Sequence, residues 1–108
     1  MRGKLSAPLA EYFTATNVHD IEGMVAAFAQ SAIVRDEGTE HRGWDAIRDW
    51  MRQTIEKYDF RAEPIESSRS GHKTVVLVSL AGKFPGSPIT LQYEFTVDSK
   101  QISRLEIG

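Results

Sequence analysis

Residues 89–98 alternate between apolar and polar without a break. Ile89, Leu91, Tyr93, Phe95 and Val97 take the odd positions; Thr90, Gln92, Glu94, Thr96 and Asp98 take the even ones. Side chains alternate faces along a strand, so this segment offers one face to a core and one to water. Sheets with one wet face are commonly antiparallel. The dry face needs a cover, which the rest of the chain must supply. With 108 residues there is room for one core, and the chain reads as a single domain over 1–108.

The cover lies in the first half, where the apolar period becomes helical. Leu5, Leu9, Tyr12, Phe13 and Thr16 form one stripe of a helix starting near Ser6. Asn17 reads as the cap of a second helix, with Asp20 near its positive end and Ile21, Met24, Val25 and Phe28 as its stripe. Ala32–Asp36 is a short strand, and 37–43 a polar loop with two glycines. A third helix runs from about Trp44 to Tyr58, where Asp45 and Asp49 can pair with Arg48 and Arg52. Further strands follow: 60–68, with Pro64 suggesting an edge or bulge; 74–80, apolar enough to be covered on both faces; and 102–107. Helices segregated from a meandering sheet mean an α+β fold.

Composition removes several functions. Thirteen basic against fifteen acidic residues leave a net charge of −2, which disfavours nucleic acid as a partner. Without cysteine there is no disulfide, thiolate zinc site or cysteine nucleophile. The basic start Met1–Lys4 is not followed by a long apolar core, and the longest apolar run, 75–78, cannot span a bilayer. A cytoplasmic protein without membrane association is expected. Neither a P-loop nor a Gly-x-Gly-x-x-Gly motif occurs, and His19, His41 and His72 show no metal-ligand spacing. No cofactor and no metal are expected.

The stretch His19-Asp20-Ile21-Glu22 through Phe28–Asp36, continued by His41-Arg42-Gly43-Trp44-Asp45-Ala46-Ile47, resembles the nuclear transport factor 2-like domains. The nearest branches are the SnoaL-like polyketide cyclases and the ketosteroid isomerases. The resemblance implies a cone, that is, a strongly bent mixed sheet with three helices on its concave face, of cystatin-like type. It also implies a homodimer through the outer sheet face, to which Thr90, Gln92, Glu94 and Thr96 would contribute. The family holds isomerases, cyclases, dehydratases, epoxide hydrolases and many non-enzymes. In ketosteroid isomerases a tyrosine late in the first helix donates to the substrate oxygen, and an aspartate ending the first strand moves the proton. Tyr12 and Asp36 stand at the matching positions. A second acid in the penultimate strand completes that family's oxyanion site; here Tyr93 takes its place, and Glu37 replaces a common proline after the aspartate.

Each candidate admits a bland reading beside the functional one. Asp36 is either a base desolvated at the rim of an apolar pocket or a solvated loop carboxylate. If Glu37 faces inward too, it raises the pKa of Asp36 further, but alternation along a strand allows only one of the two to do so. Tyr12 and Tyr93 are either hydroxyl donors or core tyrosines. Phe28, Trp50, Leu91 and Phe95 are the candidate walls for a small apolar or carbonyl-containing ligand, or else plain core. The functional expectation is a cofactor-independent isomerase, cyclase or dehydratase, with a non-catalytic binding or dimerisation module as the alternative.

Overall fold

The computed structural model describes residues 5–108; the basic Met1–Lys4 segment weighed above as a leader lies outside them. The elements are α1 (Ala7–Asn17), α2 (Ile21–Ala26), β1 (Phe28–Asp36), β2 (Thr39–Arg42), α3 (Gly43–Tyr58), β3 (Arg61–Ser70), β4 (Lys73–Ala81), β5 (Ile89–Asp98) and β6 (Gln101–Ile107). Six strands form one curled open sheet in the order β2-β1-β6-β5-β4-β3. Among the described residues only β1 and β6 pair in parallel; the other neighbours are antiparallel. This is the mixed, bent α+β architecture expected.

The register is interrupted in β1, β3 and β6's pairing with β5: between Phe28 and Ile33, between Pro64 and Glu66, and between Thr96 and Val97. Such irregularities bend strands and raise their twist. Pro64 falls both on an edge strand and at a bulge, the two positions open to a residue without an amide proton. The other two interruptions have no proline or glycine to signal them in the sequence.

The core lies between helices and sheet. On α1, Leu9, Tyr12 and Phe13 are buried as their spacing predicts, and Tyr12 meets Phe28 and Phe95 edge-on at centroid distances of 5.8 and 5.6 Å. In the second half, Val76, Val78, Tyr93, Phe95 and Leu105 complete the concave face. The predicted ion pairs on α3 form, Arg48 to Asp45 at 2.9 Å and Arg52 to Asp49 at 3.0 Å. Arg48 also grips Glu22 of α2 through both carboxylate oxygens.

Four local expectations are corrected. Asp20, not Asn17, caps α2: its carboxylate accepts from the Gly23 amide at 3.1 Å. Asn17 instead joins α1 to β3, giving its amide to the Ala62 carbonyl (2.9 Å) and accepting from the Ala62 N–H (2.8 Å). Phe28 opens β1 rather than closing the α2 stripe. The polar stretch after Asp36 is a hairpin, not a loop. Glu37 and Gly38, at φ 53° and 77°, make the two-residue turn, and Asp36 pairs with Thr39. Positive φ at both central positions is what a tight hairpin requires. Its strand β2, Thr-Glu-His-Arg, is an exposed edge and therefore shows no apolar alternation. Finally, β4 is covered on one face only, and Val75 and Leu77 stay partly exposed on the outer face.

Asn17→Ala should remove both ties to β3 and leave the Ala62 amide group without its partners. A cost of about 1–3 kcal/mol in urea unfolding is expected; an unchanged midpoint would show that the α1–β3 contact is held by apolar packing alone.

Candidate functional site

Between α3 and the ends of β4 and β5 the helices leave part of the concave face uncovered, and a cavity of about 300 Å³ remains. Its deep wall is buried: Tyr12, Met24, Trp50, Met51, Phe60 and Tyr93. Exposed Glu37 and Ile89 and half-buried Tyr58 and Phe84 border its mouth. Both carboxylates, Asp36 and Glu37, belong to the lining.

Asp36 ends β1, where the strand passes beneath α3. Two turns into that helix, the Trp50 indole N–H donates to Asp36 Oδ2 at 3.0 Å. The His41 ring from β2 lies behind Trp50, centroid to centroid 6.0 Å. Burial lifts the Asp36 pKa above its ordinary value; the Trp50 hydrogen bond opposes this, and the charge of Glu37 adds to it. Glu37 faces the cavity together with Asp36 because its left-handed backbone breaks the strand's alternation. This corrects the expectation that only one of the pair could do so. Its carboxylate accepts from the Tyr58 hydroxyl at 3.1 Å.

The tyrosines come from opposite sides, Tyr12 from α1 and Tyr93 from β5. Burial raises both hydroxyl pKa values, and the Asp36 charge raises them further. They therefore stay protonated donors throughout the neutral range. Among the described residues no protein group, Tyr12 included, hydrogen-bonds the Tyr93 hydroxyl.

Of the residues singled out in the sequence, Tyr12, Asp36, Tyr93, Trp50 and Leu91 thus meet around one cavity. Phe28 and Phe95 do not border it. They are fully buried and pack against the Tyr12 ring, so they support the wall rather than form it. Sequence reasoning weighed Glu37 only for its effect on Asp36, and missed Tyr58 and Phe84. Tyr58 ends the third helix's apolar pattern and was visible there, whereas Phe84 lies in the loop between β4 and β5 and gave no signal. The Phe84 ring meets Tyr58 edge-on at 5.7 Å. Among the described residues, no three His, Asp or Glu side chains are grouped to hold a metal ion, and no helix is long and apolar enough to cross a membrane.

A bent mixed sheet roofed by three helices is the cystatin-like, nuclear transport factor 2-like fold. Within it, the chain belongs to the SnoaL-like domain family, which it matches over residues 9–104. It is 39% identical to a protein from Sinorhizobium meliloti proposed to be a polyketide cyclase, with a TM-score of 0.94 over 96% of this chain and 95% of that one. A Δ5-3-ketosteroid isomerase from Mycobacterium sp. shares the fold at 18% identity, with a TM-score of 0.78 over 94% of this chain and 88% of that one. So does a computationally designed 17-OHP binder, at 15% identity and a TM-score of 0.80 over 96% and 92%. No curated protein sequence matches.

The sign of the Asp36 shift gives a test. A carboxyl whose folded pKa is raised favours the folded state below its unfolded value, near 3.8, and that advantage is lost as pH rises through the folded value. Asp36→Asn keeps an acceptor for Trp50 and removes the buried charge. The variant should melt above wild type at pH 7, with the gap closing by about pH 3.5. A gap independent of pH would place Asp36 in water.

Proposed function

We propose that this protein is a cofactor-independent enzyme of the isomerase, cyclase or dehydratase kind, acting on a small apolar carbonyl compound. One observation carries the reading: a desolvated carboxylate and two protonated tyrosines border the same apolar cavity. Asp36 takes a proton from the carbon beside the carbonyl. The negative charge moves to the carbonyl oxygen, where Tyr12 and Tyr93 donate hydrogen bonds. Protonated Asp36 then returns its proton to the substrate and regains its charge. Trp50 fixes the carboxylate's orientation during both transfers. The polyketide cyclase and ketosteroid isomerase names borne by two relatives favour this class of chemistry.

A second reading, a module that holds such a ligand without turning it over, is favoured by Tyr93 standing where the resemblance leads one to expect a second acid. The two separate in one experiment. Wild type is incubated in D₂O with a panel of cyclic ketones and enones, and deuterium entry at the α-carbon is followed by proton NMR. Exchange should occur and should fall by about 10²–10⁴ in Asp36→Asn and by about 10² or more in Tyr93→Phe. Exchange at the wild-type rate in Asp36→Asn would end the assignment of the base; ligand shifts without exchange would favour the module.

We further propose a homodimer through the outer sheet face. Val75 and Leu77 are partly exposed there, on the strand next to the polar row Thr90, Gln92, Glu94 and Thr96. Sedimentation at micromolar concentration should give twice the chain mass, and Leu77→Lys should return it to a monomer. A wild-type monomer would remove this assembly.

A further inference from the structure

We propose that the ligand of this cavity carries a positively charged amine, held at the mouth by Glu37 while its apolar body lies inside. The inference rests on the reading of the cavity as a ligand site, but not on any particular reaction there.

The lining is electrically one-sided. It contains Asp36 and Glu37 and no lysine, arginine or histidine. Several acids elsewhere are matched, Glu22 with Arg48, Asp59 with Lys83, Glu94 with Lys73 and Glu106 with Arg104, and others such as Glu11, Glu56, Glu63 and Glu66 stand exposed to water; Asp36 and Glu37 instead border an apolar cavity. Among the described residues, Asp36 and Glu37 have no cationic side-chain atom within 4.0 Å. Two basic side chains stand nearby without entering, and Lys57 feels the charge of Glu37. Lys57 lies against the Tyr58 ring, 5.1 Å from its centroid, and His41 is stacked near Trp50 outside the lining. Low-dielectric walls focus the field of the unmatched acids into the cavity. An anionic ligand would enter against that field, and a cationic one with it.

The mouth is also suited to an ammonium group in detail. Tyr58 occupies one carboxylate oxygen of Glu37, Oε1, at 3.1 Å, leaving Oε2 to accept from a ligand. The Tyr58 and Phe84 rings border the same opening, and aromatic faces attract desolvated cations, quaternary ones included. Deeper in, the Tyr93 hydroxyl, on a residue 3% exposed and without a partner among the described residues, faces the cavity. It offers a hydrogen bond to a ligand oxygen. The two ends define a molecule with an ammonium at the mouth, an apolar middle and an oxygen acceptor at the floor.

The test is calorimetric titration of the whole chain at pH 7.5 and low salt with three probes of similar size: benzylammonium, benzyl alcohol and phenylacetate. The ammonium should bind tightest and the carboxylate weakest, separated by roughly tenfold or more. Glu37→Gln should weaken the ammonium by about five- to tenfold and leave benzyl alcohol unchanged, which also shows that the variant's cavity is intact. Glu37→Lys should reverse the order of the two ions. Equal affinities, a preference for phenylacetate, or no binding by any probe would overturn the proposal. So would an ammonium preference removed by Asp36→Asn and untouched by Glu37→Gln. Binding heat reads no turnover, so failure here leaves the deuterium-exchange result standing, and the reverse holds too.

Discussion

The concave face of a six-stranded sheet must be covered, and three helices cover only part of it. The cavity is what remains. Helix α1 seats Tyr12 and Phe13 on the aromatic centre of the sheet, against Phe28, Tyr93 and Phe95. Helix α3 lies over β1 and, with α2, closes that side. Neither reaches the ends of β4 and β5, where Leu80, Ile89 and Leu91 stay open to the cavity. The parallel pairing of β1 with β6 brings Asp36 to the same end, next to Ile107. One covering deficit therefore fixes both where the pocket is and which carboxylate stands in it.

That placement sets the chemistry available. A carboxylate among Tyr12, Trp50 and Tyr93 loses hydration, and the Trp50 indole N–H with the Glu37 backbone N–H restores only part of it. The same burial that raises the acid holds the tyrosines protonated. Burial thus keeps the tyrosines as donors and makes the Asp36 carboxylate the more basic. Trp50 has two tasks, as wall and as hydrogen-bond donor, and its helical position on α3 serves both.

Periodicity exposed most of the architecture, because the core is built on it. Leu9, Tyr12 and Phe13 repeat as a helix does, and Tyr93 and Phe95 as a strand does; all five are buried. What periodicity could not reach was the pairing of distant segments. Asn17 looks like a cap, and only the fold brings Ala62 to it. The edge strand Thr39–Arg42 contributes no side chain to the core and so carries no pattern. In the site, Tyr12, Asp36 and Tyr93 were found by resemblance to a family whose fold this chain has. The division of aromatics was not: Phe28 and Phe95 share the Tyr12 cluster, and being one layer behind the cavity leaves no mark in a sequence.

Glu37 shows how one backbone feature acts on both fold and site. A hairpin turn at residues 37–38 needs two positive φ angles, and glycine or asparagine would meet that need at the first position with least strain. A glutamate in the left-handed region costs roughly 1–2 kcal/mol. The same cost is borne at Ser99 and Lys100 in the turn between β5 and β6, with φ of 51° and 65°; what sets Glu37 apart is that its turn borders the cavity. Here the turn reverses the chain into β2 and, by breaking the strand's alternation, swings a second carboxylate to the side of Asp36. It places that carboxylate against the Tyr58 hydroxyl at the cavity mouth. A glycine at 37 would preserve the hairpin and lose both the charge that acts on Asp36 and the group that meets an entering ligand.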